Sequence, residues 1–503
     1  MTFANNFKPI FLIAVIFISS WFMAGHHPSF FIFAIFFLVF ALIFLVSDCF
    51  SDRASFFNPL ILSSFIILFA IVWIGLNFFQ FNEVHGAFES FYEYKSDFTY
   101  LPFGLYTVDA WKNALILLSS ILVGFVAFTS CKNRASVRFV LWAVFFNILI
   151  LSVVGTFFKI TNSQLILGKF VPPDARYFFA SFTYKNHWSA YAFLSYLGTF
   201  GLAVYYHKNR RRWNLKNSPL GIFLSMGFLI GLTTLMSGSR SGLIAFSLGF
   251  GISIWIGVKL VLENYTYLSS SSKYLLRLFL AFLPIPLFVG TVFVVSPKLL
   301  TEPLSVTEGQ IRNIIENKQW ESRVYSSRDT FRMFLARPWW GWGYNSFEIV
   351  FRKYFQGPEL SASYLNNDET KSMYDNLFQR VQENASPENK LEFESFRSRL
   401  NLQRYKFAHN DILQYLAEIG IFGFCCLFMP LFYIFYKLIQ LKQAIPSITK
   451  WILIAISFIV LYSMVEFPTR TPGILYLFTI LIALGYRYAC LEKDSASNRR
   501  RSR

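Results

Sequence analysis

Apolar residues run in long blocks separated by short polar punctuation. Twelve blocks stand out, near 9–25, 29–47, 59–79, 111–130, 138–158, 187–206, 218–236, 240–261, 275–297, 411–436, 450–466 and 471–489. Roughly 20 apolar residues cross the hydrocarbon core of a bilayer as a helix. The pattern predicts an all-α polytopic membrane protein of about 12 transmembrane helices. It divides the chain into spans one to nine (1–297), a large and mostly helical loop domain (298–408), spans ten to twelve (409–489) and a basic tail (490–503). Within the loop, VYSSRDTFRMFLARP (324–338) reads as a helix with Phe331, Phe334 and Leu335 on one face, stopped before Pro338. Stretches 366–384 and 387–406 also read as polar helices, and Pro-Pro at 172–173 marks a shorter loop.

Composition agrees with this division. Hydrophobic residues make up 55% of the 503 and charged ones 15%, with a mean hydropathy of +0.45. Soluble domains carry about 25% charged residues. A soluble enzyme, a disordered chain and a disulfide-stapled secreted domain are excluded.

Charge sets the orientation. The net charge is +18, and segments alternating to one face hold 22 of the 46 Lys and Arg against 5 of the 28 acids. HKNRRRWNLK (207–216) and NRRRSR (498–503) are the strongest basic runs. This is the positive-inside asymmetry, so both termini are expected in the cytoplasm and the 298–408 loop outside. Topology accounts for the basic charge, and no nucleic-acid partner is expected. Cys49, Cys131 and Cys490 fall in or beside inner segments and Cys425 and Cys426 within a span, so neither an outer disulfide nor a zinc site is expected. The first apolar stretch lacks a small-residue cleavage site and reads as a retained anchor.

In this topology the even-numbered spans begin at the outer surface. Span six opens with Tyr184-Lys185-Asn186-His187, span eight with Ser237-Gly238-Ser239-Arg240-Ser241-Gly242, span ten with Ala408-His409-Asn410-Asp411, and span twelve near Thr469-Arg470-Thr471. A helix N-terminus carries about +0.5 charge and free N–H donors, so cations are disfavoured there and anions favoured. Basic residues at four such starts break the rule together, and a bound polyanion such as a diphosphate resolves the conflict. Each residue also has a plainer reading. Arg240 and Arg470 can anchor at the interface, His187 can be structural, and Asn410 or Asp411 can cap span ten beside His409. The tryptophans of RPWWGWGY (337–344) suit either sugar stacking or the headgroup belt.

GSRSG at 238–242, SR at 322–323 followed by RPWWGWGYNSF at 337–347, and HNDILQYLAEIGIFG at 409–423 resemble, in order and spacing, the O-antigen ligase and polymerase superfamily; YKNHWSAYAFL at 184–194 is similar to a further family stretch. The resemblance covers roughly 140–490. It implies a C-type (GT-C-like) glycosyltransferase of the bacterial inner membrane, with the large loop periplasmic. Such an enzyme moves a glycan from undecaprenyl diphosphate to an acceptor hydroxyl, using neither metal nor other cofactor. The acceptor is lipid A-core in ligases, another lipid-linked repeat in polymerases, and a protein in related oligosaccharyltransferases. The family's two arginines map to Arg240 and Arg323 and its histidine to His409. Members often carry Trp three residues after the second arginine; here Ser326 stands there, with Arg328 close by.

On this reading Arg240, Arg323 and His409 are the catalytic candidates, and Lys185, His187, Arg328, Trp342, Asn410 and Arg470 the substrate-binding ones. Arginine pairs phosphate oxygens bidentately and stays charged. His409 can take the acceptor proton or bind phosphate as a cation. A membrane transporter is the competing class, with Glu418 in span ten as its clearest intramembrane acid.

Overall fold

The computed structural model describes residues 2–27, 29–49, 65–73, 82–85, 90–93, 108–171, 178–213, 215, 217–263, 271–272, 275–276, 322–354, scattered positions between 372 and 392, 406–440 and 445–501. The expected ninth span (275–297) lies almost wholly outside them. So do the Pro-Pro pair and most of the two polar helices expected after 366.

The described chain is nearly all helical. In order, α1 is Thr2–Trp21, α2 Phe30–Cys49, α3 Val108–Ser130, α4 Arg134–Ile160, α5 Lys185–Lys208, α6 Leu220–Met236 and α7 Arg240–Leu262. Then come α8 Ser322–Ala336, α9 Phe347–Tyr354, α10 Asp411–Gln440, α11 Ser447–Tyr462 and α12 Pro472–Arg501. Residues 65–73 are helical inside the expected third span. Six of these helices (α2, α3, α4, α7, α10 and α12) are long and apolar enough to cross a membrane, and α1, α6 and α11 contain shorter apolar helices. One departure from all-α is an antiparallel hairpin, β1 Asn82–His85 with β2 Ser90–Glu93, in which Val84 faces Phe91. β-branched and aromatic residues paired across strands favour that choice.

The chain forms two compact units. The first comprises Met1–Phe65, Lys112–Glu308 and Phe428–Arg503. Its centre is α5, on which every residue from Asn186 to Val204 is buried, packed against α4, α6, α7, α11 and α12. Burial on all sides explains why α5 tolerates Ser189, Ser195 and Thr199: neighbouring helices surround them. The outer helices do the reverse. On α4, Phe139, Phe146, Ile150, Val153, Phe157 and Ile160 are exposed, a stripe at helical spacing that water would not tolerate and lipid does. At one end of the bundle lie the charged ties: buried Lys8 with Asp48 at 2.6 Å, Arg134 with Glu492 at 3.0 Å, and Arg487 donating to the Cys131 carbonyl at 2.9 Å.

The second unit comprises Ile66–Trp111 and Gly309–Leu427. Its core gathers Met333, Trp342, Phe347, Val350, Phe351, Ala408 and Ala417 from α8, α9 and the start of α10. On α8 the expected apolar face divides: Phe334 packs against this core, Phe331 and Leu335 are exposed, and the buried row is Ser326, Asp329, Thr330 and Met333. Ser326 is tied to the core by donating to the Ala408 carbonyl at 3.1 Å, while Thr330 and Asp329 are satisfied within the helix, by the Ser326 carbonyl at 2.6 Å and by Arg328.

Candidate active site

In the first unit, the starts of α5 and α7 meet the end of α11 and the turn before α12. Ser239 caps α7: its Oγ accepts from the Gly242 N–H at 3.1 Å and donates to Asn186 Oδ1 at 2.6 Å. Asn186 Nδ2 donates in turn to Glu466 Oε1 at 2.6 Å and to the Tyr184 hydroxyl at 3.0 Å. Ser241 and Tyr462 hydroxyls lie 3.2 Å apart. Asn186, Ser239 and Glu466 are buried, whereas Arg240, the first residue of α7, is exposed. The backbone on both sides of Arg240 is therefore anchored while its guanidinium extends from a helix N-terminus. Lys185 opens α5, half-buried, directly before Asn186.

His187 lies one residue further into α5, buried, with Nδ1 at 2.7 Å from Thr471 Oγ1. Thr471 Oγ1 also lies 3.4 Å from His26 Nε2, and the two imidazoles stack nearly parallel at 6.1 Å. Phe467 stacks on Tyr184 at 5.6 Å and presents an edge to His187 at 4.7 Å. Arg470 closes the 3-10 turn Pro468–Arg470 next to Thr471, half-buried. Of the predicted residues, Lys185, His187, Arg240 and Arg470 thus gather at one end of this unit.

In the second unit, the 337–346 loop docks main chain to main chain on the start of α10. The Trp342 and Gly343 N–H groups donate to the Ala417 and Glu418 carbonyls at 3.0 and 2.7 Å. In return Ile421 and Phe422 donate to the Pro338 and Trp339 carbonyls at 2.8 and 3.2 Å. Helix α10 is kinked at Gly420 (φ 63°), opposite Gly341 (φ 71°). A Cβ on Gly341 would overlap the Glu418 carbonyl, and one on Gly420 the Trp339 carbonyl. The glycines permit both the left-handed φ and the close approach.

His409 sits just before α10, half-buried, with φ 54°. Asn410 is the cap, its Oδ1 accepting from Leu413 N–H at 3.0 Å. Trp342 is buried, and its indole N–H donates to the Met333 carbonyl at 2.8 Å, while Trp339 is the exposed one at 57%. Arg337 lies over Trp342 at 4.7 Å, and burial draws its pKa down to about 10. Arg323 lies half-buried in the first turn of α8; exposed Arg328 donates to Asp329 at 2.8 Å, a bond that raises its pKa. Glu418, the transporter candidate, is fully buried and accepts from Gln414 Nε2 at 2.9 Å and from the Asn345 N–H at 3.0 Å. Arg323, Arg328, Trp342, His409 and Asn410 all belong to this unit.

Sequence reasoning passed over His26, Tyr462, Glu466 and Gln414. His26 and Glu466 had a usable signal, since each is a polar residue interrupting or ending an apolar block. Tyr462 and Gln414 had none, because a tyrosine or glutamine at a helical position is unremarkable until its partner is known. Among the described residues, no group of three or more His, Cys, Asp or Glu could hold a metal ion.

These features define a polytopic helical membrane protein whose basic and imidazole groups cluster at helix starts. Residues 225–368 match the family model described as O-antigen ligase. The chain therefore carries a domain of the superfamily its motifs resemble, one of ligase or polymerase-like membrane glycosyltransferases. The match takes in the Arg240 turn, Arg323 and the tryptophan loop; the Lys185 and His409 segments flank it. No curated protein matches the chain.

Proposed function

We propose that this protein is an O-antigen ligase of the inner membrane, transferring a glycan from undecaprenyl diphosphate to a hydroxyl of lipid A-core at the periplasmic face. The observation that carries the reading is Arg240. It is exposed at the N-terminus of α7 inside the family-matched segment, on a backbone anchored by Ser239, Asn186 and Glu466. A helix start favours anions, and a basic side chain beside it adds to the attraction for a diphosphate.

In this reading Arg240 and Arg323 bind the diphosphate, with Lys185, Arg328 and Arg470 adding positive charge and His187 lining the donor site. The acceptor oxygen attacks the anomeric carbon as the bond from that carbon to the phosphate oxygen breaks. The bonding pair passes to the diphosphate, where the arginines stabilise it, and His409 takes the acceptor's proton. Asn410, as the cap, sets the approach of the α10 N-terminus, and Trp342 supports the loop that borders the acceptor. One displacement inverts the anomeric centre.

The test is a chromosomal replacement. Arg240→Ala and His409→Ala each leave the protein inserted at normal levels and yield lipopolysaccharide bearing core alone on a gel. Wild-type banding from both variants removes the catalytic assignment, and core with one repeat indicates a polymerase instead.

A further inference from the structure

The two peptide groups flanking Ala408, the residue before His409, are both held by side chains. The Ala408 N–H donates to Gln414 Oε1 at 3.0 Å, and the Ala408 carbonyl accepts from Ser326 Oγ at 3.1 Å. On the other side of His409, Asn410 is fixed by its cap to Leu413. The histidine between them takes φ 54°, a left-handed conformation that costs an ordinary residue about 1–2 kcal/mol. Strain held between two clamps points to a side chain whose direction matters.

The clamp extends into the tryptophan loop. Gln414 Nε2 donates to Glu418 Oε1 at 2.9 Å, and Glu418 Oε2 accepts from the Asn345 N–H at 3.0 Å. Chemistry dictates the order of donors and acceptors. Both Glu418 oxygens accept, one from Gln414 and one from the Asn345 N–H, so Gln414 turns its NH2 to Glu418; its carbonyl then faces Ala408, whose N–H only donates. Ala408, Gln414 and Glu418 are all buried, so each link is made within protein. Ser326, where family members often have Trp, is the second arm of this clamp.

We propose that Asn345, Glu418, Gln414 and Ser326 form a positioning relay that aims His409 and ties its aim to docking of the 337–346 loop. None of the four acts on substrate: the Asn345 backbone N–H and the Glu418, Gln414 and Ser326 side chains all act through the Ala408 backbone. The inference rests on the reading of His409 as the proton acceptor.

The relay has a mirror image that keeps every bond. In the double variant Gln414→Glu/Glu418→Gln, the new carboxylate accepts from Ala408 N–H and from the new amide NH2, whose carbonyl accepts from Asn345 N–H. Each single variant breaks the order. Glu418→Gln sets two donors against each other at one link, and Gln414→Glu sets two carboxylates face to face, where both cannot stay ionised.

The experiment uses the purified full chain in nanodiscs, with undecaprenyl-diphosphate-linked glycan as donor and lipid A-core as acceptor, and His409→Ala beside the relay variants. With His409→Ala inactive, each single variant is expected to lower kcat about ten-fold or more at a donor KM within about two-fold of wild type. The double swap is expected to recover kcat to within about three-fold. Ser326→Ala lowers kcat and Ser326→Thr, which keeps the hydroxyl, does not. Rates are taken per folded molecule from size-exclusion chromatography, so loss of fold does not register as loss of kcat. Single variants at wild-type kcat, or a double swap no better than the worse single, overturn the relay while His409 keeps its role. An active His409→Ala overturns the role itself and the relay with it.

Discussion

His409 and the glycine pair Gly341/Gly420 share one physical feature: the backbone occupies the left-handed region at each. For the glycines that is free, and the packing requires it, since a Cβ at either would meet a carbonyl across the docked loop. Gly341→Ala or Gly420→Ala is expected to destabilise the docked loop by more than about 2 kcal/mol, from the conformational penalty plus overpacking. Tryptophan fluorescence checks it: with three tryptophans at 339, 340 and 342, emission should shift to the red in the variants. For His409 the same φ has no steric excuse, which is why its clamps draw attention. Trp342 and Trp339 make the contrast between residues of one type: the first fills the core and the second stands outside it at 57% exposure, over Phe422 at 5.6 Å. Of these two, Trp339 is the one placed for a headgroup belt or a sugar face.

At the scale of elements, two helices of similar length carry opposite logic. Helix α5 is buried on every side and places polar residues against neighbouring elements: Asn186 meets Glu466 and Ser239, and Trp188 meets Thr233 at 3.2 Å. Helix α4 turns Val153, 71% exposed, away from the bundle. Val153→Arg is therefore expected to disfavour insertion by about 2–3 kcal/mol on the insertion scale. The check is the yield of membrane-integrated protein, compared with Val153→Leu, which leaves it unchanged. Helix boundaries were readable to within a few residues for α4, α6, α7 and α11, where apolar blocks end at Ser, Asn or Pro. The face of α8 was not readable. Periodicity favoured Phe331 and Leu335, but Ser326 is held inward by its hydrogen bond to the Ala408 carbonyl, which no periodicity encodes.

For the molecule as a whole, the asymmetric distribution of Lys and Arg predicts both termini in the cytoplasm and the 298–408 segment outside. Alkaline phosphatase inserted near residue 360 should be active and a fluorescent protein fused after Arg503 should fluoresce; the opposite pair of results reverses the orientation. Much of the candidate site was also legible, because a basic residue at a helix start is a conflict visible in one dimension. Arg240, Arg470, Lys185 and His409 could each be found that way. The sequence by itself determined that the chain needs an apolar solvent, where its apolar blocks lie and which motifs carry charge, since these depend on composition and order along one strand of residues. Tertiary structure alone decided that Glu418 is a link in a hydrogen-bonded chain and that Ser326 reaches Ala408, 82 positions away. It also decided that His26 joins His187 through Thr471. A hydrogen bond between distant residues is set by the packing of the helices that bear them, and neither partner alone announces it.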